Sequence, residues 1–174
     1  MSKKKLKILG FIISFILCFP IHFLYEKLPS FTTSIIAPVN ESIFEHMKIL
    51  FTSIIISGII QKIIVIKSNL GYKNVCFSNV VSAALSIPIF LVMFMPVYNA
   101  IGKNFPITIT IMLIALLLSY IIGYYILKIN KDLKLENLSI FIVIIVYLIF
   151  GSLTYYPIKN EFFKDPISNI YGIK

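Results

Sequence analysis

Five long apolar segments limit the fold of this chain more than any other feature. They cover about residues 6–25, 40–66, 77–98, 105–127 and 137–156. Each is close to the ~20 residues with which an α-helix crosses the hydrocarbon core of a bilayer. Charged residues make up 13% of the chain, against about 25% in soluble domains. The sequence therefore predicts an all-α polytopic transmembrane bundle of about five spans, in which residues 1–174 form one integral membrane domain.

The lysines predict how the chain is threaded. Under the five-span path the lysines on the side of the N-terminus are Lys3, Lys4, Lys5, Lys7, Lys62, Lys67, Lys73, Lys128, Lys131 and Lys134. Those on the other side are Lys27, Lys103, Lys159, Lys164 and Lys174. Because lysine is enriched on the cytoplasmic side, we expect the N-terminus inside and the C-terminus outside. The net charge of +9 comes without a basic stripe, so no nucleic-acid partner is expected.

Details of the segments refine this prediction. The first resembles a signal peptide, but it lacks a small-residue cleavage pattern and is long enough to span, so we expect it to be retained. Residues 26–37 have the composition of a loop. Pro88 and Pro96 predict a kink in the third segment, and Tyr120 is expected at the membrane interface.

A polar block opens the second segment, at residues 38–48, on the outer side. Charged groups at the edge of a bilayer are energetically costly unless they are paired, hydrated or part of a functional site. The block is therefore a candidate site. Glu41 and Glu45 are one helical turn apart and could share a cation or a proton. The candidate catalytic residues are Glu41, Glu45 and His46, and the candidate ligand-binding residues of the block are Asn40, Glu41, Glu45, His46 and Lys48.

The same block also reads as the start of a helix. Ser42 and Glu45 have the spacing of a capping box, and Asn40 is itself a favoured N-cap residue. Lys48 can pair with Glu41 or Glu45 on its own helix face. A cap explains these residues but does not explain the adjacent histidine, so both interpretations stay open.

A metal site is a further hypothesis. His22, near the outer end of the first segment, is expected at the depth of His46. With Glu45 and Asp165 they would give the His and carboxylate ligands of a catalytic zinc with an open position. The signal lacks the His-Glu-x-x-His spacing of zinc proteases. The two cysteines and two histidines are too few for a Cys/His zinc module.

The C-terminal tail, residues 157–174, is too polar to span. Asp165 precedes a proline, which favours a turn, and Gly172 permits a left-handed backbone. Because the tail and the polar block lie on the same predicted face, we expect the tail to fold over the start of the second span. Asp165 and Tyr171 are its candidate ligand-binding residues.

These two motifs carry a resemblance that covers nearly the whole chain. The matching positions are Asn40, Glu41, Ser42, Glu45, His46 and Lys48 in the first motif and Asp165, Pro166, Tyr171 and Gly172 in the second. In them the chain resembles a family of small, uncharacterised bacterial multi-pass membrane proteins. The resemblance implies the bacterial cytoplasmic membrane and sites at those positions, and it transfers no activity.

Three functions remain as alternatives. The first is binding or transport of a small ligand or ion, since acidic groups and a histidine at a wetted helix end suit cation or amine capture. The second is a membrane-embedded metal-dependent hydrolase, in which Glu45 and His46 join His22 or Asp165 around zinc and Glu41 handles protons. The third is an accessory subunit whose polar block docks a partner.

Overall fold

The structure is a computed structural model that describes residues 1–102 and 104–173. Lys103 and Lys174, two of the lysines counted for topology, lie outside the described residues. The helices are α1 (Lys3–His22), α2 (Leu24–Lys27), α3 (Phe31–Ile36), α4 (Ile43–Lys67), α5 (Val75–Ile101), α6 (Phe105–Lys128) and α7 (Glu136–Tyr155). The five long ones are apolar enough to cross a membrane. The predicted all-helical five-span fold is therefore confirmed.

Local sequence signals explain where the long helices begin and end. Ser42 caps α4 by accepting a hydrogen bond from the backbone N–H of Glu45. Asn104 caps α6 in the same way, with a proline in the first turn, as is common at helix starts. Gly102 ends α5 with a φ of 72°, a conformation that suits glycine. The helix is continuous through both of its prolines.

Helix α4 lies at the centre of the bundle. It packs against α1 and α5, while α6 packs against α5 and α1. Helix α7 lies at the edge, against α5 and α3. Large apolar side chains on the outer surface remain exposed, among them Ile59, Val92 and Leu148. In a bilayer these side chains face lipid, which is as apolar as the protein core.

The segment predicted as a loop contains α2 and α3. Ser30 and Thr33 form a reciprocal capping box at the start of α3. The prediction of a plain loop for residues 26–37 was therefore wrong. Its serine, threonine and proline residues are typical of loops, but here Ser30 and Thr33 begin a helix. The two short helices carry the chain back towards the start of α4.

Polar side chains fill part of the bundle interior. The hydroxyl oxygens of Ser14 and Tyr120 lie 2.7 Å apart, and the Tyr120 hydroxyl donates to Ser57 over 3.1 Å. Gln61 donates to the same Ser57 hydroxyl. Tyr120 is 3% exposed, so it is a buried bundle residue and the predicted interfacial role is wrong.

A buried lysine lies near the start of α1. Lys7 is 3% exposed, and its ammonium donates to Oδ1 of Asn79 over 2.6 Å. Gly123 leaves room for it, because a Cβ there would lie 3.2 Å from the Lys7 nitrogen. Lys7 was counted among the topology lysines, yet its side chain joins α1 to α5 inside the bundle.

Candidate functional site

The loop before α4 is held by side chains of the polar block itself. Asn40 Oδ1 accepts from the backbone N–H of Ser42, and its amide nitrogen donates to the carbonyl of Gly172. Glu45 Oε2 accepts from the backbone N–H of Val39. These bonds leave Glu41 outside α4, which begins at Ile43. Glu41 therefore does not share a helix face with Glu45, contrary to the expectation from their spacing.

Glu41 lies between the two histidines of the chain. Its Oε1 is 3.5 Å from Nε2 of His22, and its Oε2 is 3.7 Å from Nε2 of His46. The two imidazole rings are 5.3 Å apart between centroids. All three side chains are half-buried. Three residues that are distant in sequence thus converge at the end of the bundle where α1 ends and α4 begins.

This arrangement has the dimensions of a metal site. One ligand atom from each of His22, Glu41 and His46 lies within 4.8 Å of the others. Ligand atoms around a tetrahedral zinc are about 3.3 Å apart, because the Zn–N and Zn–O bonds are ~2.0–2.1 Å. The observed separations need only small side-chain movements to reach that value. Two histidines and one carboxylate also leave a fourth position open.

The hydrogen bonds of the histidines indicate which ring nitrogens are available to bind a metal ion. Nδ1 of His46 lies 2.8 Å from the carbonyl oxygen of Ser42. A carbonyl only accepts, so Nδ1 carries a proton, and Nε2 is the ring nitrogen that lies towards Glu41. Such a bond to the second nitrogen orients metal-ligating histidines. Nδ1 of His22 is buried and has no partner within the described part of the chain.

Two cavities adjoin the three residues. The larger has a volume of about 190 Å³ and lies between α1, α4 and α6. Its lining residues are Cys18, Phe19, His22, Phe23, Glu41, His46, Ile49, Phe105, Thr108, Ile109 and Met112. The smaller, of about 40 Å³, is lined by Glu41 and His46 together with Lys164 and Pro166 of the tail. The candidate site is therefore mostly apolar around a small polar centre.

Glu45 and Lys48 form a separate buried network. The Lys48 ammonium lies 2.6 Å from Glu45 Oε2, and it donates to the Ser34 carbonyl over 2.7 Å and to the Thr154 hydroxyl. All three ammonium donors are therefore satisfied. Glu45 Oε1 is 2.8 Å from the same hydroxyl. The predicted pairing on the helix face is confirmed, and it ties α4 to α3 and α7.

The tail folds over the start of α4. The backbone N–H of Phe44, which has no partner within its own helix, donates to the carbonyl of Phe162. Phe163 is buried, and its ring lies 4.7 Å from that of Phe44. The Asp165 carboxylate accepts from the Ile167 N–H and the Ser168 hydroxyl within its own turn. The expected cap over the second span is present.

The remaining tail candidate, Tyr171, pairs with Lys164 in an isolated antiparallel bridge. Its side chain packs against the hydrophobic core. The structure therefore brings together His22, Glu41 and His46 and places Glu45, Lys48, Asp165 and Tyr171 around them in structural contacts. Whether these surrounding residues bind a ligand stays a prediction.

We expect Gly172→Ala to loosen the tail. Gly172 has a φ of 65°, and a Cβ there would collide with the carbonyl oxygen of Thr154. The left-handed backbone conformation costs about 1–2 kcal/mol for a residue that has a Cβ, and the collision adds to this cost. Gly71→Ala is a matched control, with a φ of 60° and nothing within 4 Å of the added carbon.

Tail docking is measured by tryptic cleavage at Lys159 in detergent. Faster cleavage in Gly172→Ala than in Gly71→Ala is the expected result. Equal rates would contradict the close approach of the tail to the end of α7.

Comparison with known proteins places the whole chain in one family. The model of DUF6512, a family of unknown function, matches residues 1–173. The chain belongs to this family. No curated protein and no solved structure gives a significant match. The family supplies no activity, so the function must be argued from the geometry of the site.

Sequence reasoning left Glu41 out of the predicted metal ligands. The predicted set was His22, Glu45, His46 and Asp165, and it assumed that Glu41 lies on the helix, one turn from Glu45. The signal that corrects this is Ser42, which is a better N-cap residue than a first-turn residue. A cap at Ser42 leaves Glu41 outside the helix, where its direction is free of the helical period.

Proposed function

We propose that this membrane protein binds a divalent transition-metal ion through His22, Glu41 and His46. The observation that carries the proposal is the convergence of three ligand atoms within 4.8 Å of one another. Imidazole nitrogen and carboxylate oxygen together suit zinc and its neighbours rather than calcium or magnesium. The activity that follows is capture of the ion, as a binding or transport-related protein.

The position of the site supports capture from the aqueous side. The lysine distribution predicts that the end of the bundle with His22 and His46 faces outwards, and the family resemblance suggests a bacterial cytoplasmic membrane. Glu41 supplies one negative charge next to two neutral ligands, so the site favours a cation. The Glu41 carboxylate also offsets the positive end of the nearby α4 helix dipole.

A metal-dependent hydrolase is the second candidate. The observation that favours it is the set of two histidines and one glutamate with an open fourth position, which is the ligand set of several hydrolytic zinc enzymes. In such a hydrolase Glu41 is a metal ligand, so it does not have the proton-transfer role that was expected from the sequence. Glu45 is unsuited to that task as well, because its carboxylate is engaged by Lys48 and Thr154.

Zinc titration of metal-stripped protein tests the proposal. Competition with a chromophoric chelator in detergent gives the affinity and the stoichiometry. We expect one zinc per chain and a weakening of about 100-fold or more, ~2.7 kcal/mol, in His46→Ala and in Glu41→Gln. Glu26→Gln is the matched control, because Glu26 is an exposed carboxylate whose ion pair is with Lys27. Unchanged affinity in both ligand variants would refute the site.

A further inference from the structure

The larger cavity beside the three candidate ligands has the properties of a binding site for an amphiphile. Its volume is about 190 Å³. An apolar cavity of about 150 Å³ is enough for a benzene ring. The space therefore holds a short stretch of hydrocarbon chain, and His22, Glu41 and His46 are among its few polar lining residues.

The cavity opens towards the surface that faces lipid. Phe19 and Phe105, on α1 and α6, line it and are 44% and 66% exposed. Phe23, the residue after α1, lines it as well and is 50% exposed. An apolar chain that starts in the cavity can therefore continue along the exposed apolar surface where α1 ends and α6 begins.

The inner wall is apolar and well packed. Ile49 of α4 is 4% exposed, and Ile109 and Met112 of α6 complete the wall. For a ligand taken up from water, burial of each methylene against such a wall contributes ~0.8 kcal/mol. A ligand with a chain of several carbons is therefore favoured over a small hydrophilic one.

We propose that this cavity binds a long-chain carboxylate, with its head group on the metal ion and its chain between α1 and α6. A carboxylate matches the open fourth position, because an anionic oxygen is a good ligand for zinc. It also offsets the positive charge that remains when a divalent ion is held by a single glutamate. This inference rests on the proposed function and names the class of ligand that the metal site takes.

The chain has no tryptophan, so one introduced tryptophan is a unique fluorophore. Phe19→Trp places it at the mouth of the cavity. Phe141→Trp is the control, because Phe141 on α7 is 59% exposed and does not line the cavity. Each protein is titrated in detergent with a brominated long-chain fatty acid, with and without zinc. Bromine quenches tryptophan only at close range.

We expect saturable quenching in Phe19→Trp that is strengthened by zinc and weakened when Glu41→Gln is added. The half-saturating concentration should rise about tenfold or more, ~1.4 kcal/mol, without zinc. Ile109→Phe, which fills part of the cavity, should weaken fatty-acid binding. Acetate should not compete at equal concentration.

Two results separate the failure of this inference from that of the metal site. Zinc binding with equal, zinc-independent quenching of both reporters would overturn the inference and leave the metal site intact. Competition by acetate as strong as that by the unbrominated long-chain acid would overturn the role of the chain. Absence of zinc binding in the titration would overturn both proposals.

Discussion

Replacing Lys48 by methionine is expected to destabilise the protein by about 3–5 kcal/mol, the usual cost of removing one partner of a buried ion pair. Lys48 is fully buried and Glu45 is 1% exposed. Without the ammonium, the Glu45 carboxylate, the Ser34 carbonyl and the Thr154 hydroxyl all lose a hydrogen bond. The substitution therefore separates α3 and α7 from α4 at the end that carries the candidate site.

Unfolding in mixed micelles of increasing SDS content measures this effect. Lys62→Met is the control, because the Lys62 to Glu136 pair is largely exposed, at 35% and 59% of the side chains. Such pairs contribute about 1 kcal/mol or less. The double variant Glu45→Gln with Lys48→Met should recover part of the loss. A similar small effect for Lys48→Met and Lys62→Met would show that the network does not hold the helices together.

The second large effect is expected for Asn79→Ala. This change leaves the buried ammonium of Lys7 without its hydrogen bond to Oδ1, and we expect a loss of about 3 kcal/mol, since hydrogen bonds to buried charged groups are the costly ones to break. No carboxylate among the described residues lies within ion-pair distance of Lys7 to replace it.

Asn130→Ala is a matched control for this prediction. Asn130 accepts from Lys3 over 3.0 Å in an exposed position, so the pair has the same chemistry in contact with solvent. Its loss should cost less than about 1 kcal/mol. Adding Lys7→Met to Asn79→Ala should restore stability in part, because the unpaired charge is gone. Equal losses at the two asparagines would contradict the burial of Lys7.

The five spans could be predicted because hydropathy over ~20 residues reflects the bilayer itself. The Ser42 cap of α4 was also predictable, since it acts over three residues of local sequence. The burial of Lys7 and of Tyr120 was not predictable, because it depends on contacts between helices. Their positions near segment ends suit topology and interface residues, and only the packing of α1 against α4 and α6 places them inside.

The candidate site was predictable in part. The two histidines were paired as candidate ligands because their common depth followed from the threading of the chain. The part played by Glu41 depended on the loop before α4, whose shape comes from contacts with the tail at Gly172. A contact between residues 132 positions apart has no local signature in a single sequence.

The metal content of the protein as purified in detergent tests the central claim most directly. Elemental analysis should find close to one equivalent of zinc or another transition metal per chain in the wild type and in Glu26→Gln. The double variant His22→Ala with His46→Ala should lose it while the chain stays folded. The same metal content in the wild type and the double variant, whether one equivalent or none, would contradict the account.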